Sequence, residues 1–143
     1  MLAFNYPATF RKDPDGRFLV TFSDPRSATD GANLVEAMEE AIDCLGSAIA
    51  FAMVDKEPVR RPSAPKRGQR MAPVPLWIAP KLVLYWRMQE MKVSNSELAR
   101  RLGVRETVVR RMLDPDHATK SQKLQAALEA LGQTVIMVVD DAA

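Results

Sequence analysis

Between Asn95 and Leu113 the sequence NSELARRLGVRETVVRRML carries apolar residues at Leu98, Ala99, Leu102, Val104, Val109 and Met112. No single helix gathers these onto one stripe, but a break at Gly103 turns them into the inner faces of two short helices. That is helix-turn-helix geometry. Ala99 is small where the helices would cross, Gly103 can take the positive φ of a tight turn, and Val109 anchors the second helix. Ser94 and Glu97 form a capping box ahead of the first helix, and Asp114-Pro115 stops the second.

With Val104, Val109 and Met112 facing inward, Arg105, Glu106, Thr107, Arg110 and Arg111 are left for the outward side of the second helix, the side that meets base edges in such motifs. Arginine bonds guanine in a bidentate fork, Glu106 can accept from a cytosine amino group, and Thr107 offers a hydroxyl and a methyl. Arg100 and Arg101 are placed to hold phosphates of double-stranded DNA. The competing reading is an arginine-rich face that is merely solvated; the helix pair ahead of it favours DNA.

A chain of 143 residues, 47% apolar, suits two small domains. The expected division is an α+β domain over 1–57, a basic proline-rich linker over 58–78, and a helix-turn-helix domain over 79–143. No apolar run is long enough to span a bilayer, and MLAFNYPATFRKD lacks the marks of a signal peptide, so a cytoplasmic protein without a membrane partner is expected. One cysteine, Cys44, and one histidine, His117, far apart, make no credible zinc site; Cys44 is expected as a small core residue, and no metal or cofactor is implied. Charge is strongly partitioned. Residues 1–57 carry five basic against ten acidic side chains, 58–75 five basic and none acidic, and 76–143 ten basic and eight acidic. An acidic front and a basic back suit different partners, a cationic protein and a polyanion.

Taken in order, Leu2 to Tyr6 reads as a strand that Pro7 limits at an edge or end. Asp13, Pro14, Asp15 and Gly16 supply a turn, after which Phe18, Val20 and Phe22 alternate on one buried face, and a third extended piece covers Arg26 to Thr29. Beyond the turn at Asp30-Gly31, Asn33 caps a long helix whose inner stripe is Leu34, Met38, Ala41, Leu45, Ile49 and Ala52. Pro58 to Arg70 has almost nothing to pack and reads as an exposed linker; Met71 to Ile78 is apolar enough to return as an edge strand. A helix from Ala79-Pro80 to about Met91 is apolar on more than one side and must bury more than a single face. Thr119 and Gln122 offer a capping box to a further helix with Leu124, Ala127, Leu128 and Leu131 inside, ended by Gly132. The last apolar run, Thr134, Val135, Ile136, Met137, Val138 and Val139, is expected as a strand that pairs with its twin in a second copy. Such pairing builds the twofold dimer, or a higher homo-oligomer, that two operator half-sites require.

Over nearly its whole length the chain resembles the HicB antitoxins of bacterial toxin-antitoxin modules. The resemblance is carried by Tyr6-Pro7-Ala8, by the Asp13 to Phe22 hairpin with Asp15-Gly16, and by Thr29-Asp30-Gly31 leading to Leu34, Glu36 and Ala37. It continues in Val74-Pro75-Leu76, Ser96 to Val104, and Arg111 to Pro115. It implies an α+β fold: a small antiparallel sheet with one long helix, like a reduced ribonuclease H, linked to an all-α helix-turn-helix domain with a terminal strand. It also implies a partner, a small HicA-like toxin that cleaves RNA, whose active site the first domain would cover, while the second represses the operon. Toxin contacts are assigned by domain, to acidic positions such as Asp24, Asp30, Glu36 and Glu39. Two features depart from the family: Arg105 stands where serine usually starts the reading helix, and SDPRSA is shorter than the usual loop.

A ribonuclease H-like fold raises the possibility of a nuclease, but such a site needs carboxylates converging on metal, one of them in the first strand, and LAFNY has none. No catalytic residues are expected. The remaining rival is a free-standing transcription regulator whose first domain binds a ligand or dimerises.

Overall fold

The Asp13 side chain organises the first hairpin. Its Oδ1 accepts from the amides of Asp15 at 2.9 Å and Arg17 at 3.0 Å, and Gly16 takes φ +84°, where a Cβ would be strained. This turn joins β1 (Asn5–Lys12) to β2 (Phe18–Ser23), which returns through Asp24 and a cis Pro25 to β3 (Arg26–Gly31). The computed structural model describes residues 3–141, and the chain divides into two compact units between Leu82 and Val83.

In the first unit the sheet order is β3-β2-β1-β4, antiparallel throughout, with β4 (Gln69–Pro73) on an edge, where its one proline, Pro73, is tolerated. β4 starts and stops earlier than the expected Met71 to Ile78. The Val74 amide makes one more bond, to the Phe4 carbonyl at 2.7 Å, and the Pro75 carbonyl then accepts from Ile78 and Ala79 in the turn that starts the next helix. The first strand differs too. Leu2 lies outside the described residues, and β1 runs through Pro7 instead of ending there. Pro7 sits opposite Met71 of β4, beyond the β2 ladder that begins at Thr9, so its missing N–H removes no bond on that side.

Helix α1 (Leu34–Val54) starts at Asn33, whose side chain accepts from the Glu36 amide at 2.9 Å while Glu36 Oε2 accepts from Ala32 at 3.1 Å. It touches β2, β3 and β4 and buries Ala37, Ala41, Leu45, Ile49 and Ala52, with Leu34 and Met38 half-buried at the rim. Residues such as Leu45 and Ile49, fully buried, contribute about 1.5–3 kcal/mol each. The opposing sheet face is Tyr6, Ala8, Val20, Phe22 and Ala72. The close approach of α1 demands Gly31, where an added Cβ would stand 2.3 Å from the Ala37 nitrogen.

Two expectations for this unit need correction. Cys44 is half-buried, its thiol donating to the Ala28 carbonyl at 3.7 Å, because its helix face meets β3 at the sheet margin. The proline-rich stretch is exposed for the most part, but Val59 is buried and the Arg60 carbonyl accepts from the Tyr6 hydroxyl at 2.6 Å. The buried phenol needs an acceptor there, and burial, with Asp24 nearby, pushes the Tyr6 pKa up.

Helix α2 (Ala79–Met91) gives its first residues to the first unit, where Ala79 and Leu82 are buried, and the rest to the second, where Leu84 and Met88 enter the core. It thus buries more than one face. That core is completed by Leu98 and Ala99 of α3 (Asn95–Leu102), Val109 and Met112 of α4 (Glu106–Leu113), and Leu124, Ala127 and Leu128 of α5 (Ser121–Ala130). Val104 is not on the inner face: it follows the left-handed turn at Gly103 and is 39% exposed. Nor do Thr119 and Gln122 cap α5. The N-cap is Lys120, one residue later, with no side-chain cap bond, and the Thr119 hydroxyl donates to the Arg111 carbonyl at 3.3 Å. Thr134 to Val139 forms no strand in the single chain. All strands among the described residues belong to the first unit, and Ile136 and Val139 are 72% and 84% exposed.

Candidate functional site

The α3-turn-α4 pair is built by local chemistry. Ser94 Oγ accepts from the Glu97 amide at 3.1 Å, starting α3, and Gly103 ends it at φ +67°, ψ +32°. The Glu97 carboxylate does not complete the box. It receives Arg100 through Nε at 2.9 Å and Nη2 at 2.7 Å, and Arg101 through Nε at 3.0 Å. Those bonds, Arg100 first, pull the Glu97 carboxyl down to about 2. Arg100 and Arg101 are thereby gathered around one carboxylate.

On α4, Val109 and Met112 lock the helix to the core while Arg105, Thr107, Arg110 and Arg111 are exposed. Arg105 occupies the N-cap in an extended conformation and makes no side-chain cap bond, as an arginine there must. Glu106 and Arg110, four residues apart, share one row of the outward face and are ion-paired, which holds the Glu106 carboxyl below its usual range. Thr107 and Arg111 form the adjacent row. The pair lies at the surface, where solvent screening leaves it weak.

Beside α4 lies a cleft of about 110 Å³ lined by Val108, Arg111, Met112, His117, Thr119 and Lys123. Sequence reasoning placed His117 in a loop, which is correct, but missed its neighbours, since no local spacing links residues 111, 117 and 123.

The acidic candidates of the first unit are not brought together. Asp24, in the β2–β3 turn, faces Arg60 at 3.5 Å. Asp30, at the far end of β3, pairs with Arg17 at 2.8 Å. Pro25 and four strand residues lie between them, which puts them at opposite ends of β3. Glu36 is spent on the Ala32 amide, and Glu39 is exposed on α1. Among the described residues no three His, Cys, Asp or Glu side chains are grouped to hold a metal ion, and no helix is long and apolar enough to cross a membrane.

A four-stranded sheet under one long helix, followed in the same chain by a helix-turn-helix unit with an arginine-rich outward face, defines a two-module protein: an α+β module ahead of a helix-turn-helix module. Residues 5–83, close to the extent of the first unit, match the family described as HicB-like antitoxin of bacterial toxin-antitoxin system. Similarity to individual proteins runs through both units. The chain is 35% identical to Antitoxin HicB of Escherichia coli K12 over 135 residues, 94% of this chain and 98% of that one. It is 36% identical to Antitoxin HicB 2 of Photorhabdus laumondii over 134 residues, 93% and 94% of the two chains. It is 29% identical to Antitoxin HicB of Pseudomonas fluorescens Pf0-1 over 140 residues, 97% and 96%. The chain belongs to the HicB-like antitoxin family of bacterial toxin-antitoxin systems.

Proposed function

We propose that the chain neutralises a small HicA-like ribonuclease toxin by covering its active site with the first unit, and represses its own operon by binding a palindromic operator through the second, with no catalysis of its own. The observation that carries this reading is α4: two residues bury it in the core, and its outward rows present Arg105, Glu106, Thr107, Arg110 and Arg111. Arg100 and Arg101 of α3 take backbone phosphates.

The attraction of the first unit for a cationic toxin is local. Because the basic stretch belongs to the first unit, residues 1–82 carry eleven basic and ten acidic side chains. The outward side of α1 is different: Glu39, Glu40 and Asp43 are exposed on a helix with no lysine or arginine. Together with Asp24, Asp30 and Glu36 these are the proposed toxin contacts. Thr134 to Val139 pairs with the same segment of a second copy, building the twofold dimer that sets two reading helices about one DNA turn, ~34 Å, apart. The site of action is the cytoplasm.

The double replacement Arg110→Ala, Arg111→Ala tests the division of labour. Fluorescence anisotropy with the duplex upstream of the chain's own gene should show binding abolished, while co-expression with the neighbouring toxin should still rescue growth. Equal loss of rescue in a folded variant would falsify the assignment of the two tasks to two units.

A further inference from the structure

We infer that the cleft between α4 and α5 is a second DNA contact, a backbone-phosphate site in which His117 must be protonated to bind. This rests on the operator reading above and adds residues that the outward face of α4 does not include. The cleft has about 110 Å³ of space, a few times the ~30 Å³ of one water, and three cationic or ionisable nitrogen side chains line it from different segments: Arg111 of α4, Lys123 of α5 and His117 between them. Thr119 adds a hydroxyl oxygen, while Val108 and Met112 form an apolar floor. Arg111 also belongs to the outward face of α4, so the cleft continues the surface that meets DNA and its anion is a phosphate of the same duplex.

His117 Nδ1 lies 3.0 Å from the Thr119 hydroxyl oxygen, and that hydroxyl reaches the Arg111 carbonyl at 3.3 Å. With the hydroxyl proton directed to Arg111, Nδ1 donates to Thr119 and the neutral ring has only a lone pair on Nε2, which cannot bond a phosphate oxygen. A second proton turns Nε2 into a donor and adds a charge. The charged groups around the ring are Arg111 and Lys123 across the cleft and, in the loop and cap that carry it, Asp114, Asp116 and Lys120; Asp114 Oδ1 already accepts from the Asp116 amide at 2.9 Å. The chain has one histidine, so a single substitution removes the imidazole, and the α-amino group remains as the internal control for the histidine pH range.

Anisotropy with the upstream duplex at about pH 6 and about pH 8 compares the full chain with His117→Gln and Lys123→Gln, both at exposed positions. The native chain is expected to bind about five- to tenfold tighter at the lower pH, as linkage requires when the bound form holds the proton. His117→Gln should abolish that difference. Lys123→Gln should keep it, weaken binding at both pH values, and reduce the salt slope by about one. A His117→Gln protein with the native pH dependence overturns the site. If Arg110→Ala, Arg111→Ala loses the duplex while His117→Gln and Lys123→Gln bind it like the native chain at both pH values, the site falls and the operator reading stands; if none of the variants, nor the native chain, distinguishes this duplex from random DNA, both fall. Inorganic phosphate, followed by the NMR signals of the His117 ring, supplies the last arm: a ring that responds to phosphate in a protein whose duplex affinity ignores His117→Gln marks a free-anion site and overturns the DNA assignment.

Discussion

Glu97 shows how one side chain sets the local electrostatics of the helix-turn-helix motif. Its carboxyl is held at about 2 by Arg100 and Arg101, below the ordinary glutamate value of about 4.3. A lowered folded-state pKa stabilises above the ordinary value and stops doing so as pH falls toward 2. Glu97→Gln should therefore flatten the acid dependence of thermal unfolding between about pH 4.5 and about pH 2, by a small amount because the pair is at the surface. Melting curves of variant and native protein with the same slope over that window would remove Glu97 from the account. At this scale legibility depends on range. Gly103 was readable because a helix must end there, and its φ of +67° follows from the chain on either side. Gly31 and Gly46 were not readable: one is required by the backbone of Ala37, the other by Pro75 and Trp77, whose side chains would lie 2.9 and 3.0 Å from an added Cβ.

Among the described residues, four of five helices finish in the same way, with paired bonds that turn the chain out of the helix. At α1 these are Lys56 N to Met53 O and Glu57 N to Ala52 O; at α2, Lys92 N to Gln89 O and Val93 N to Met88 O; α3 and α5 repeat the pattern through Gly103 and Gly132. Glycine announces the last two. Lys56 and Lys92 take left-handed φ of 56° and 53° without that advantage, each placing a cation at the negative end of its helix. Helix starts are equally uneven, since Asn33 and Ser94 cap α1 and α3 while Arg105 and Lys120 leave α4 and α5 without a side-chain acceptor. Arg105→Ser is expected to stabilise the second unit by roughly 0.5–1 kcal/mol and to weaken operator binding, two effects of opposite sign that chemical denaturation and anisotropy separate. Unchanged stability would mean that the α4 amides are already satisfied. The expected α5 cap is out by one residue: the helix takes Lys120 as its N-cap, and Thr119 lies before it, bonded to Arg111 of another helix.

For the whole molecule, the decisive segment is the apolar tail. Five hydrophobic side chains from Val135 to Val139 are exposed in the single chain, and burying even three of them against a second copy contributes about 5–9 kcal/mol, the same order as the cost of association. A dimer formed through this segment, as proposed above, is expected to be concentration-dependent and to be strengthened by a two-half-site operator. Removing residues 134–143 should lower the mass seen by light scattering and weaken palindrome binding while half-site binding survives; a truncated chain of unchanged mass would reject pairing through this segment.

By itself the sequence determined what depends on residues within a turn or two of one another: the hairpin at Asp13 to Gly16, the capped start of α1, and the two short helices meeting at Gly103. It also carried the likeness to the HicB antitoxins, because that likeness is a string of such local patterns in a fixed order. Only the tertiary structure decided that Arg60 accepts from Tyr6, 54 positions away, that Arg87 donates to the Leu131 carbonyl, 44 positions away, and that His117 faces a cleft with Arg111 and Lys123. Local geometry fixes which way a backbone turns, whereas these contacts exist only once distant surfaces are brought together by burial of the cores between them.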